Sequence, residues 1–331
     1  MLSRLSHKEL ITLAKQRCIP PLLPTFYKGQ SGGRVCIIGG CEDYTGAPYF
    51  SANATALMGC DLTHVICERS AATVIKSYTP NLMVHPYLRD NGKASEMEKI
   101  KSLLSRMFAL VIGPGLGRDP AMMTSVKEII RYVLIERKGM VPIVIDADGL
   151  FLISQDAEVR EMLKKFPAGR IVLTPNVVEF KHISDAIAKD LNIDADSSAL
   201  RDNSKMGHFI SNTLNCILVQ KGREDVVFSP NNDYVLVNKQ TGSNKRVGGQ
   251  GDTLTGTIGC MLSYSVAMHD FKVTENKEDP LSWVECALLS CYAGTTITRE
   301  CSRLAFAEKG RAMQTSDLND RVGMVYSQVF E

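Results

Sequence analysis

Short, uninterrupted apolar runs recur along the chain, with helix-period patterns between them. Val35 to Ile38, Thr63 to Cys67, Leu82 to His85, Ala109 to Ile112, Ile143 to Ile145, Ile171 to Leu173 and Cys216 to Val219 read as strands. Because these runs are continuous rather than alternating, both faces of each strand are expected to be buried, as in a mainly parallel sheet covered by helices. The pattern predicts an α/β, doubly wound fold. Val226 to Phe228 and Tyr234 to Val237, joined by the turn-forming Ser229-Pro-Asn-Asn-Asp233, predict an antiparallel hairpin at the sheet's edge.

Ahead of the first strand, Ser6 and Glu9 have capping-box spacing, and Leu10, Ile11, Leu13 and Ala14 make the apolar face of a helix over Ser6 to Arg17. Pro20, Pro21 and Pro24 end that pattern. Helical periodicity returns after Asp252, over Thr253 to Met268, and is clearest from Trp283 to Arg299. No linker, low-complexity tract or repeat interrupts the 331 residues, so a single domain over 1–331 is expected.

Charge narrows the partners. Lys and Arg total 38 against 36 acidic residues, a net charge of +2, which gives no field for nucleic acid or an anionic membrane. No apolar run approaches the ~18 residues of a membrane span, and no secretory h-region opens the chain. Ten cysteines show no C-x-x-C pair, and Cys36, Cys67 and Cys216 lie within strand-like runs, which predicts buried, reduced thiols and an intracellular setting. Glu9 and the helix around it favour a cytoplasmic over a mitochondrial location. Oligomeric state is left open, a homo-oligomer included.

In open α/β sheets ligands enter at the C-terminal ends of the strands, and the distinctive residues collect there. The first strand ends in Gly39-Gly40 and leads to Tyr44-Thr-Gly-Ala-Pro-Tyr-Phe50. Later strands end in Gly113-Pro-Gly-Leu-Gly-Arg118, Asp146-Ala-Asp-Gly149, Thr174-Pro-Asn-Val-Val-Glu-Phe180 and Lys221-Gly-Arg-Glu-Asp225. The G-x-G-x-G of Gly113 to Gly117 is not the dinucleotide fingerprint, and neither a Walker P-loop nor H-E-x-x-H is present. Each motif alone has an ordinary structural explanation. Asp146 and Asp148 can be turn formers or orient a sugar or hydrated metal; Asn176 and Glu179 can open a helix or serve as outer ligands of Mg²⁺, which prefers oxygen donors and keeps its waters.

The sharpest feature is Gly242-Ser-Asn-Lys-Arg-Val-Gly-Gly-Gln-Gly-Asp252, which runs into a predicted helix. Glycines there let backbone N–H groups approach an anion, and the helix dipole adds positive potential. Asp252 then places an acid beside an expected phosphate, a costly arrangement unless the carboxylate takes a proton or faces a metal.

Taken together and in this order, these motifs resemble the ATP-dependent (S)-NAD(P)H-hydrate dehydratases of the ribokinase-like superfamily. The resemblance runs from about Tyr27 to the C-terminus and rests on Tyr-Thr-Gly-Ala-Pro-Tyr-Phe, Gly-Pro-Gly-Leu-Gly-Arg, Asp-Ala-Asp-Gly-Leu, Leu-Thr-Pro-Asn-x-x-Glu-Phe, Lys-Gly-x-x-Asp and Gly-Gly-Gln-Gly-Asp. It implies a three-layer α/β/α fold and an ATP-dependent dehydration of hydrated NADH or NADPH, S epimer, giving NADH or NADPH, ADP and phosphate. It also implies that Gly117, Asn176, Val177, Val178, Glu179, Phe180, Lys181, His182 and Asp252 contact the hydrated nucleotide. Lys221, Gly222, Arg223, Glu224 and Asp225, with Gly242, Ser243, Asn244, Lys245, Arg246, Val247, Gly248, Gly249, Gln250 and Gly251, would hold ATP, several of them through backbone and therefore whatever their side chains. Asp252 would be the general base, and Asn176 and Glu179 would support Mg²⁺ through water. Two positions depart from the family pattern: Val247 stands where many members have Cys, and His182 where a more basic residue is frequent. A vitamin or sugar kinase of the same superfamily, or a non-catalytic nucleotide-binding protein, is the alternative.

Overall fold

The computed structural model describes residues 2–88, 94–193, 202–231, 234–274 and 280–331. Seven parallel strands form most of one sheet: β1 (Arg34–Ile38), β2 (Leu62–Glu68), β3 (Met83–Leu88), β4 (Ala109–Ile112), β5 (Ile143–Ile145), β6 (Ile171–Leu173) and β7 (Ile217–Gln220). The antiparallel pair β8 (Asp225–Phe228) and β9 (Val235–Asn238) continues it, giving the order β3-β2-β1-β4-β5-β6-β7-β8-β9. The edge hairpin is thus where the sequence puts it, although positions 232 and 233 of its expected turn lie outside the described residues.

Alternate residues of each strand enter different cores. Val35, Val65, Val111, Val144, Val172 and Val219 face one helical layer, while Cys36, Ile66, Ile112, Ile145, Leu173 and Leu218 face the other. Burial on both faces is why the strands read as unbroken apolar runs. One layer contains the helices His7–Cys18, Gly46–Leu57, Gln250–Ser265 and Trp283–Lys309; the other contains Pro120–Ile135, Val177–Asp190 and Asn203–Thr213, among others. At the start of the chain, Ser6 Oγ and the Glu9 carboxylate form the predicted capping box, with Leu10 and Ala14 buried. The Trp283–Lys309 helix runs past the expected Arg299, opened by a second capping box between Ser282 and Glu285.

Strand order reverses between β1 and β4, which opens a crevice at their C-terminal ends. The Gln250–Ser265 helix lies beneath that crevice and is buried from Thr253 to Ser265. Gly256 permits the close packing this requires: a Cβ there would stand 2.1 Å from the Ser51 carbonyl of the Gly46–Leu57 helix. Among the described residues, no helix is long and apolar enough to cross a membrane.

Candidate functional site

The Gln250–Ser265 helix starts three residues earlier than its periodicity predicts. Gly249 is its N-cap, with φ +100°, a conformation that costs an L-residue strain but glycine little. No side chain caps this end. The bond from Thr253 N to Gly249 O, at 3.0 Å, opens the helical ladder, so the N–H groups of Gln250, Gly251 and Asp252 have no intrahelical partner. Asp252 consequently stands inside the first helical turn rather than before it.

Four charged side chains meet at this terminus from different strand ends. Lys221, after β7, places Nζ 2.7 Å from Asp146 Oδ1, after β5, and 3.8 Å from Glu179 Oε2, after β6. Asp146 is 3% exposed. A Cβ on Gly251 would lie 3.4 Å from Lys221 Nζ and 3.3 Å from Asp146 Oδ2, which fixes this pair directly beside the open helix end. The half-buried carboxylate of Asp252 makes no hydrogen bond among the described residues. Burial, reinforced by the nearby Asp146 charge and opposed by Lys221, pushes its pKa up to about 7. Burial likewise raises Glu179, with Lys221 opposing and Asp146 adding to the shift. For Lys221 burial acts downward, but the carboxylates of Asp146, Glu179 and Asp252 outweigh it and hold the ammonium above its usual range.

The predicted substrate segment is largely occupied with its own helix. Asn176 Oδ1 accepts from Val178 N at 2.9 Å and Glu179 N at 3.0 Å, while Glu179 Oε2 accepts from Asn176 N at 2.8 Å. This capping box commits the Asn176 side-chain oxygen to two backbone donors, which leaves its Nδ2 amide as the group facing outward. Glu179 retains Oε1 without a hydrogen bond among the described residues. No group of three His, Cys, Asp or Glu side chains forms a metal cage among those residues. One carboxylate oxygen does fit Mg²⁺, which takes most of its ligands from water and phosphate. Phe180 is 5% exposed and packs in the core, so only its backbone is available to a ligand. Val177 and Val178 are 68% and 61% exposed and form an apolar rim. Lys181, which pairs with Asp185 at 3.3 Å, and His182 are exposed.

Gly117 donates its N–H to Asp148 Oδ2 at 3.0 Å, so that amide is already satisfied. Arg118 reaches Asp148 Oδ1 at 3.1 Å and lies over the Phe151 ring, 4.2 Å from its centroid. With Ser154, Glu179 and His182 these residues line a small cavity next to the charged cluster.

The predicted ATP residues divide into backbone that can face a ligand and side chains that hold the loop. Asp225 is buried and spends one oxygen on Gly222 N and the other on Arg299 Nε. Lys245 donates to the carbonyls of Arg311 and Met313. These two side chains brace the loops, which leaves the backbone of both segments as the part that can face a nucleotide. Gln250 Nε2 reaches Ser243 Oγ at 3.3 Å, Val247 packs against the core, and Thr315 Oγ1 donates to Gly248 O. Asn244, Arg246, Gly248, Arg223 and Glu224 are exposed. Sequence reading missed Arg299, Ser302 and Thr315, whose partners lie 59 or more positions away in the chain. It also missed Ala147, held at φ 47° between Asp146 and Asp148, in a region that non-glycine residues rarely enter.

Comparison with known proteins adds to this geometry. The family model for NAD(P)H-hydrate dehydratase matches residues 35–323. An ATP-dependent (S)-NAD(P)H-hydrate dehydratase of Saccharomyces cerevisiae is 64% identical over 345 aligned residues, covering 100% of both chains. The human protein of the same name is 40% identical, covering 95% of this chain and 82% of its own. In fold, a ribokinase-like superfamily protein of Enterococcus faecalis superposes with TM-score 0.71 at 20% identity, covering 98% and 95% of the two chains. A Bacillus subtilis ADP/ATP-dependent NAD(P)H-hydrate dehydratase, co-crystallised with ATP/Mg²⁺, gives TM-score 0.67 at 18% identity, covering 96% and 97%. On the family match over residues 35–323 and the 64% identity over its full length, this chain, whose fold is ribokinase-like, belongs to the NAD(P)H-hydrate dehydratase family.

Proposed function

We infer that this chain is an ATP-dependent (S)-NAD(P)H-hydrate dehydratase that returns hydrated NADH or NADPH to the reduced cofactor. The observation that carries the reading is Asp252: a half-buried carboxylate without a hydrogen-bond partner among the described residues, in the first turn of an uncapped helix. Sequence identity of 64% to a relative bearing that name supports it.

Hydroxide is a poor leaving group from the ring carbon next to nitrogen; phosphate is a good one. Asp252 takes the proton of the ring hydroxyl as its oxygen attacks the γ-phosphorus of ATP. The new P–O bond forms while the bond to the β-phosphate oxygen breaks and ADP leaves. The ring nitrogen's lone pair then expels phosphate, and loss of a proton from the adjacent carbon restores the dihydropyridine. A base with a pKa near 7 suits this proton transfer, since it is available at neutral pH and still basic enough to act.

The open N–H groups of Gln250, Gly251 and Asp252 would bind phosphate oxygens, helped by the helix dipole. Lys221, held by Asp146, would supply positive charge beside the transferring group. Val177 and Val178 offer an apolar rim to a base or nicotinamide ring. Mg²⁺, when bound, would neutralise phosphate charge, and Glu179 Oε1 is the donor this chain would give it, through water. The cluster of Asp146, Glu179 and Asp252 around Lys221 favours such a cation, because ATP adds further negative charge.

The test is incubation with the S epimer of hydrated NADH, ATP and Mg²⁺. Reduced-nicotinamide absorbance should return together with ADP. A lasting phosphate ester would instead identify a small-molecule kinase, and no ATP turnover would identify a non-catalytic binder.

A further inference from the structure

Two loops contribute to the proposed ATP site, one after β7 and one after β9, and a single side chain ties them together. Arg299, on the Trp283–Lys309 helix, donates from Nε to Asp225 Oδ2 at 2.6 Å. Its other nitrogens donate to Arg223 O at 2.9 Å, Gln240 O at 3.1 Å and Gly222 O at 3.0 Å. Asp225 accepts Gly222 N through its second oxygen at 3.1 Å, so the staple closes on itself. Both side chains are nearly buried, at 12% and 10% exposure. One turn further along the helix, Ser302 Oγ accepts Ser243 N at 3.2 Å.

The direction of these bonds matters. In a planar trans peptide the carbonyl and the following N–H point in opposite directions. Fixing the carbonyls of Gly222, Arg223 and Gln240 on Arg299 therefore turns the N–H groups of Arg223, Glu224 and Thr241 away from the helix. The same relation holds where Thr315 takes Gly248 O, which turns out the Gly249 N–H. Carbonyl oxygens repel an anion, and N–H groups attract one. A guanidinium suits the task because its rigid, planar fork presents five donors, whereas an ammonium acts as a compact point charge.

We propose that Arg299 is a positioning residue for nucleotide, aligning the backbone of both ATP loops without itself touching ATP. This rests on the ATP-dependent reading of the site. The experiment compares wild type with Arg299→Met and Arg299→Lys in steady-state dehydration of hydrated NADH, and in thermal unfolding with and without Mg²⁺-ATP. Both variants should raise KM for ATP by about tenfold or more while KM for hydrated NADH stays within about twofold. The rise in Tm caused by Mg²⁺-ATP should shrink in both variants.

An unchanged KM for ATP in the folded variants would overturn the proposal. So would equal damage to both KM values with full Mg²⁺-ATP protection, the mark of a purely structural role. If Arg299→Met leaves Asp225 unpaired and fails to fold, Arg299→Lys, which keeps the charge opposite Asp225, decides alone. The underlying reading fails separately: wild type would then bind Mg²⁺-ATP without restoring reduced nicotinamide, and the binding comparison would still judge Arg299.

Discussion

Two helices point their N-termini into the same crevice and treat them in opposite ways. The Val177–Asp190 helix closes its own end: Asn176 and Glu179 exchange bonds with each other's backbone, and local sequence suffices for this. The Gln250–Ser265 helix has glycine where a capping side chain would stand, and its donors remain open. In the function proposed above, the capped end is a structural terminus and the uncapped end, beside buried charge, is the phosphate-binding surface. Keeping the second open takes distant help, from Thr315 on Gly248 O, Lys245 on the carbonyls near residue 312, and Arg299 on the neighbouring loop.

The largest effect should come from the open end's acid. Asp252→Asn should fold and bind ATP but lose at least about 10² in kcat, the usual worth of a positioned base; near-normal turnover would remove it from that role. Next comes the turn that keeps the terminus open. Gly249→Ala forces a Cβ to 2.6 Å from Thr315 Cγ2 at positive φ, so KM for ATP should rise about tenfold with a stability loss of about 1–3 kcal/mol. Unchanged ATP kinetics would show that this terminus is not the phosphate site.

The pH dependence has a definite sign. Asp252 must be ionised to act, so kcat/KM should fall about tenfold per unit below pH 7 and level off above it. Its folded pKa lies above the unfolded value of about 3.9, so the folded protein holds a proton that the unfolded chain has released. Stability from this group is then full below about pH 4 and is lost as pH rises through about 7. Asp252→Asn should consequently be the more stable protein at pH 8, by roughly 1 kcal/mol or more, as denaturant titration would show. An acid limb that survives in the variant would assign the titration to another group.

The smallest effects sharpen the capped end. Asn176→Ala should cost about 0.5–2 kcal/mol of stability with little change in Mg²⁺ requirement. Glu179→Gln keeps the capping geometry, since glutamine also serves at that position, but should raise the Mg²⁺ concentration needed for half-maximal activity. An unchanged requirement would leave Glu179 a capping residue only.

The difference between these two ends also marks what the sequence made legible. Strands β4, β5 and β6 appear at their predicted limits, because burial on both faces writes an unbroken apolar run into the chain. The capping box at Ser6 was equally readable, being local. The candidate site was visible as a set of strand-end motifs, yet the jobs within it were not. Residue type does not reveal that Asn176 and Asp225 give oxygens to neighbouring backbone and, for Asp225, to Arg299. The start of the Gln250–Ser265 helix was misplaced because periodicity cannot see a glycine N-cap at positive φ. Arg299 left no local signal, since its partner Asp225 lies 74 positions away.

The most direct test of the account follows ADP release and reduced-nicotinamide absorbance in the same reaction, with the S epimer of hydrated NADH, ATP and Mg²⁺. Wild type should form one reduced nicotinamide for each ADP, and Asp252→Asn should form neither at an appreciable rate while still binding ATP. ADP appearing with a stable phosphorylated product, or full coupled turnover in Asp252→Asn, would contradict it.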